Sequence, residues 1–161
     1  MIYVTGDTHG YIDIHKLNSK NFPEGRTLTK DDYVIICGDF GFVWDGSKED
    51  QWWLNWLASK PWTTLFVDGN HENFDRLYSD EFEVVDFHGG KAHRIRDNIY
   101  HLMRGYVFDI CNKKIFTFGP IIHNDDVVNE LREKGVDICN SPQELDKDSV
   151  VIIRSHGVGK D

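Results

Sequence analysis

Three short apolar, β-branched runs, at residues 2–5, 33–37 and 65–67, set the pattern of the first half of the chain. Runs of this length, bounded by polar or glycine-containing turns, predict buried strands. Between the first two, residues 12–17 predict the start of a short helix, and a polar loop passes through Pro23, Glu24 and Gly25. Ser47 and Asp50 have the spacing of a capping box, opening a helix that runs to about Lys60 and ends at Pro61. Trp52, Trp53, Trp56 and Leu57 would form its apolar face, packed on the sheet. A further short helix is predicted over 72–78.

From residue 81 the spacing changes to short alternating runs. Residues 81–87, 99–104, 106–110 and 114–118 predict strands, with a turn at Cys111, Asn112 and Lys113. A β-α-β-α-β front is thus followed by a β meander. The pattern changes again after Gly119. Asn124 caps a predicted helix over 125–134, with Gly135 just beyond its end. Residues 136–139 predict a short strand, and Ser141, Pro142, Gln143 and Glu144 form a second capping box. Residues 149–154 predict another buried strand, ending in Ser155, His156 and Gly157. The expected class is α/β.

Composition narrows the function classes. A chain of 161 residues suffices for one domain with a real core, or two small ones. A net charge of −9 argues against a general nucleic-acid or membrane-surface binder. Clustered carboxylates are still what a cation site needs. No apolar stretch approaches a membrane span, and the expected location is cytoplasmic. Cys37, Cys111 and Cys139 are odd in number and form no Cys-x-x-Cys pair, which fits a reducing compartment. Cys37 is most simply a small core residue.

The chemistry lies at the strand ends. Gly6-Asp7-Thr8-His9-Gly10, Gly38-Asp39-Phe40-Gly41 and Gly69-Asn70-His71-Glu72 each follow one of the first three strands, at intervals of 32 and 31 residues. Loops at such strand ends are where ligand groups converge in α/β sheets. Hard oxygens mixed with imidazoles suit divalent metals. Two metals roughly 3.5–4 Å apart can clamp a phosphate and hold a hydroxide for in-line attack.

These motifs resemble the calcineurin-like metallophosphoesterase family over about residues 1–119. The resemblance implies an αββα sandwich, here incomplete, and a hydrolase acting on phosphomonoesters or phosphodiesters. It also implies two divalent ions (Mn, Fe, Zn or Ni). By position, Asp7 and His9 would bind the first metal, Asp39 would bridge both, and Asn70 would bind the second. His71 would lie beside the substrate phosphate as the catalytic group. The small phosphorylated substrate would be the main partner, with no nucleic acid or membrane. The family's closing Gly-His-x-His does not occur after Gly119, so the second metal would keep only Asp39 and Asn70 and hydrolysis should be slow.

Residues 113–161 resemble a different family. Residues 115–124, the helix ending Glu133-Lys134-Gly135, and residues 151–158 look like an N-terminal slice of hydroxymethylbutenyl diphosphate reductase, an iron–sulfur enzyme. That resemblance implies that His123 and His156 bind a diphosphate. His156 could alternatively substitute as a ligand of the second metal. Cys111 and Cys139 do not fall at the reductase's cluster positions, so no iron–sulfur cluster is expected. The chain reads as a hybrid or truncated one, joined within 113–119. Its front, 1–119, is the partial phosphoesterase domain, and 120–161 is a small β-α-β unit. The contrasting readings are a non-catalytic folded remnant and a weak diphosphate-binding segment.

Overall fold

The computed structural model describes residues 1–117 and 150–152. Three parallel strands form its centre: β1 (Ile2–Gly6), β2 (Tyr33–Cys37) and β3 (Thr63–Val67). Ile2 registers with Tyr33, and Tyr33 with Thr63. The sheet continues through β6 (Ile99–Leu102), parallel to β3, and then through antiparallel β5 (Gly90–Arg96) and β4 (Glu83–Phe87). Its order is β1-β2-β3-β6-β5-β4. A second sheet holds β7 (Val107–Ile110), β8 (Lys113–Thr117) and β9 (Val150–Ile152), with β8 antiparallel to β7 and parallel to β9. The architecture is mixed α/β.

Side-chain alternation along β2 and β3 divides the interior in two. Val34, Ile36 and Phe66 point into one core, with Leu54, Leu57 and Trp62. Ile35, Cys37, Leu65 and Val67 point into the other, where Phe108, Ile110 and Ile115 from the second sheet meet them. The edge strands β1 and β4 carry the exposed side chains of Val4 and Val84.

Several elements differ from the sequence-based expectation. The helix expected from residue 12 is two 3-10 turns, Gly10–Ile12 and Ile14–Leu17, and a third, Pro23–Thr27, lies in the expected polar loop. Helix α1 spans Lys48–Ala58, with the Ser47 hydroxyl accepting from the Asp50 N–H at 3.2 Å as expected. The reciprocal half of the capping box is absent. Asp50 turns back and accepts from the N–H groups of Trp44, Asp45 and Gly46. The inward face of α1 carries Asp50, Leu54 and Leu57, with Trp53 and Trp56 half-buried, while Trp52 is exposed. Helix α2 (Phe74–Leu77) is shorter than expected, because Asn73 caps it and Glu72 is engaged elsewhere.

Strand β5 was not expected at all. It closes on β4 through a two-residue turn at His88 (φ 47°) and Gly89 (φ 91°). The Cys111–Asn112 turn between β7 and β8 is of the same kind, with φ 53° and 59°, and lies where expected. The elements expected over 125–134, 136–139 and 141–144 lie outside the described residues, and of the 149–154 strand only 150–152 is described.

Candidate metal centre

Parallel alignment of β1, β2 and β3 puts their C-terminal ends side by side, so the three Gly-flanked loops meet. The loops are pinned to one another by backbone. Thr8 and His9 N–H donate to the Asp39 carbonyl at 3.2 and 2.7 Å, and Gly10 N–H donates to the Phe40 carbonyl at 3.0 Å. Gly41 (φ 75°) makes this approach possible, since a Cβ there would sit 2.4 Å from the Gly10 nitrogen. Below them, the Glu72 carboxylate accepts from Phe40 N–H at 2.6 Å and Gly41 N–H at 3.3 Å. Burial pushes the Glu72 carboxyl up to about 7, against the pull of those N–H donors.

This scaffold gathers His9, Asp39 and His71, whose ligand atoms all lie within 4.8 Å of one another. Asp39 is fully buried. Its Oδ1 accepts from His71 N–H at 2.8 Å. Its Oδ2 lies 3.2 Å from His9 Nε2 but has no hydrogen-bond partner. A buried carboxylate oxygen left open beside two imidazoles is the donor set of a divalent cation. His9 (φ 47°) and Asp39 (φ 34°) also hold left-handed backbone conformations, which are costly for residues other than glycine. The rings of His9 and His71 meet edge to face at 5.9 Å.

Asp7 Oδ1 is buried and unpartnered, yet Asp7 is not one of the three clustered side chains. Asn70 is exposed on the third loop. His71, expected beside a substrate phosphate, stands with His9 and Asp39. His123 and His156 lie outside the described residues.

Sequence reasoning missed a buried polar network behind the third loop. His93 on β5 and His101 on β6 are registered cross-strand partners, stacked with planes 6° apart and Nδ1 atoms 2.9 Å apart. His101 Nε2 lies 3.0 Å from Asp68 Oδ1. Arg104 pairs with the other Asp68 oxygen and donates to the Gly69 carbonyl at 3.3 Å. Burial raises the Asp68 carboxyl, but His101 and Arg104 outweigh it and hold the group below its usual range. Asp68 is therefore an acceptor, so His101 Nε2 carries hydrogen. Burial keeps His101 neutral, its Nδ1 accepts, and His93 Nδ1 must donate. The only advance signal was His101 in an alternating segment; no ligand spacing singled out either histidine.

This network has a pH consequence. Burial, with His101 alongside, pushes His93 down to about 4 from an ordinary 6.5. The unfolded chain takes up that proton first as pH falls. The stabilisation is complete above about pH 6.5 and is lost as pH falls through about 4, amounting to on the order of 3 kcal/mol. Glu72, raised to about 7, acts in the opposite direction over the same range in both proteins. Between pH 7 and pH 4 the wild-type urea midpoint should therefore lose ground relative to that of His93→Gln; parallel profiles would contradict the assignment.

Comparison with known proteins places the C-terminal part. Residues 106–161 match the family described as LytB protein. A 4-hydroxy-3-methylbut-2-enyl diphosphate reductase of Alkaliphilus oremlandii is 52% identical over 50 residues, covering 31% of this chain and 18% of that protein. The corresponding enzyme of Solidesulfovibrio magneticus is 46% identical over 46 residues (29% and 16%), and that of Pseudothermotoga lettingae 46% over 52 residues (31% and 19%). The chain spans less than a fifth of the length of these relatives. No solved structure matches the chain significantly.

These matches support the reductase-like part of the sequence reading and correct the rest of its functional assignment. The expected phosphomonoester or phosphodiester hydrolase is overturned, because the named relatives are reductases and no comparison supports a metallophosphoesterase segment. The expectation of two divalent ions and no iron–sulfur cluster is corrected on the same ground, since the matched family is one of iron–sulfur enzymes. Geometry adds a reason against the dinuclear centre. Among the described residues one three-residue cluster forms, enough for one ion. The described cysteines do not fit a cluster: Cys37 is buried with its thiol pushed up to about 11 by burial and the charge of Asp7, and Cys111 is free on the surface. Among the described residues no helix is long and apolar enough to cross a membrane.

Proposed function

We propose that the C-terminal segment binds the diphosphate group of a small isoprenoid-type ligand, as a part of the reductase family would, with His123 and His156 as anion ligands. The observation that carries this reading is the match of residues 106–161 to the LytB family. The second sheet is consistent with it. β8 and β9 lie parallel with Ile115 opposite Val150, so their C-terminal ends share one side of the sheet. His123 follows β8 by six residues and His156 follows β9 by four. Reduction itself would draw on the much larger remainder of such an enzyme.

Inorganic pyrophosphate titrated into the full chain by calorimetry tests the reading. Binding should weaken at least tenfold in both His123→Ala and His156→Ala, because each removes a charge-assisted donor to the anion. Unchanged affinity in both variants would discard it.

The geometry of the first three loops favours a second, separate role. His9, Asp39 and His71 hold one divalent cation, with Asp7 and Asn70 at its margin. The open Asp39 Oδ2 beside two imidazoles supports this. In this reading the chain joins two parts within 113–119: a layered front, part of an αββα sandwich, and the reductase-like segment, which adds β9 to the front's last strands.

A further inference from the structure

A cavity of 310 Å³ opens beside the three clustered side chains. His9 and His71 are among its lining residues, with Tyr11, Phe42, Trp44 and Trp53. Pockets for small ligands begin at about this volume, and combine apolar walls with a few polar groups that fix orientation. Phe42 and Trp53 are committed to the interior. Their rings stack at 5.8 Å, and Trp53 also meets Trp56 and His15 edge to face. Together they make a floor that does not need a ligand.

Trp44 and Tyr11 are different. They are 50% and 58% exposed, and neither ring has a partner among the described residues. The Trp44 backbone that carries the ring is nevertheless held in place. Its main-chain N–H donates to Asp50 Oδ2 at 2.9 Å, and its carbonyl accepts from the Asn73 side-chain amide. Asp50 is itself fixed by two further backbone N–H groups and by Arg76 at 3.2 Å. A large aromatic surface left open on a rigid backbone loses little entropy when it stacks on a ligand.

The charges around the cavity decide what the ring can carry. Asp45 and Glu49 also line it and are exposed. A second anionic group would meet their repulsion, so the one negative group of a ligand belongs with His9 and His71.

We infer that this cavity is a subsite for the aromatic ring of a singly headed anion: the anionic group sits on the cation and a neutral or cationic ring lies against Trp44 and Tyr11. The inference rests on the cation reading of the three loops and adds the ligand class that site would take. Stacking of a ring on an exposed aromatic side chain should raise affinity by roughly tenfold or more.

Phenylphosphonate and methylphosphonate share one anionic head and differ in the ring. Both are titrated by calorimetry into the full chain with manganese, after elemental analysis of dialysed protein for bound metal. Phenylphosphonate is expected to bind at least tenfold more tightly than methylphosphonate. Trp44→Ala should reduce that preference to less than threefold, whereas Trp52→Ala, with an exposed indole outside the cavity, should keep it. Bound manganese with equal affinities for the two phosphonates, or a preference that survives Trp44→Ala, overturns the ring subsite alone. Absence of bound manganese overturns the cation site, and the inference with it.

Discussion

On the one-cation reading proposed above, Gly69→Ala is expected to weaken manganese binding at least a hundredfold in a chain that still folds. A Cβ at this position would lie 1.9 Å from Asp39 Oδ1 and 2.3 Å from the Asp39 nitrogen. The carboxylate could swing away from such an atom, but the backbone nitrogen cannot, so the loop after β2 or the loop after β3 must move. Either movement separates His71 from Asp39, since the His71 N–H bond to Oδ1, at 2.8 Å, ties the two loops together. A hundredfold loss corresponds to about 2.7 kcal/mol of binding. Overpacking of this kind costs about 1–3 kcal/mol of stability, which a domain of this size can absorb. Manganese titration followed by calorimetry, with circular dichroism to verify folding, measures both effects. Wild-type affinity in Gly69→Ala would show that Asp39 does not hold the ion.

Asp68→Ala should lower the thermal midpoint by roughly 10 °C, the largest stability effect expected of a single polar substitution here. Asp68 is 2% exposed and is the shared acceptor of His101 and Arg104. Its loss leaves the fully buried His101 Nε2–H without an acceptor and Arg104 without its charge partner. Breaking a buried ion pair by removing one partner costs about 3–5 kcal/mol. Each kcal/mol shifts the midpoint of a domain of this size by about 2–4 °C. Differential scanning calorimetry of Asp68→Ala beside Asp68→Asn separates charge from hydrogen bonding. A shift below about 2 °C in the alanine variant would mean that the network contributes little to folding.

The network also bears on the candidate metal centre. Arg104 reaches from the residues after β6 to the Gly69 carbonyl, so the third loop is braced from behind by a strand pair that contributes no ligand. Glu72 braces the second loop in the same manner, through the Phe40 and Gly41 N–H groups. The second loop is thus held by the buried Glu72 carboxylate and the third by Arg104, while Gly10, Gly41 and His71 face the cavity.

How much of this was legible beforehand differs by element. The strands at 33–37 and 65–67 were legible because an uninterrupted β-branched run has few alternatives. The hairpin at Cys111–Asn112 was legible from turn chemistry, and the start of α1 from Ser47. Strand β5 was not, because Gly90, Lys91, His93, Arg94 and Arg96 leave too few apolar positions to show a period. It is a strand because β4 and β6 pair with it on both sides, and because Gly90 leaves room for the Phe108 ring, which a Cβ would approach to 2.6 Å. The face of α1 was misread at one residue, Trp52 being expected inward where Leu54 is buried. Residue size suggested the tryptophan, whereas the helix rotation is set by Asp50, which must reach the N–H groups of the preceding turn. The functional weight was also misplaced. Three conspicuous loop motifs outweighed a C-terminal stretch whose similarity to a reductase family is stronger.

Read alone, the sequence settled the local matters: where strands run, where they end in glycine, and that imidazoles and carboxylates follow those ends. Such features depend on residues within a few positions of one another, and their periods survive in one dimension. The tertiary structure decided which of those polar groups meet. His71 joins His9 and Asp39, and His93 finds His101, because sheet order and strand register bring together residues 8 to 62 positions apart. No local pattern encodes that order; it follows from how the two apolar faces of the sheet are covered.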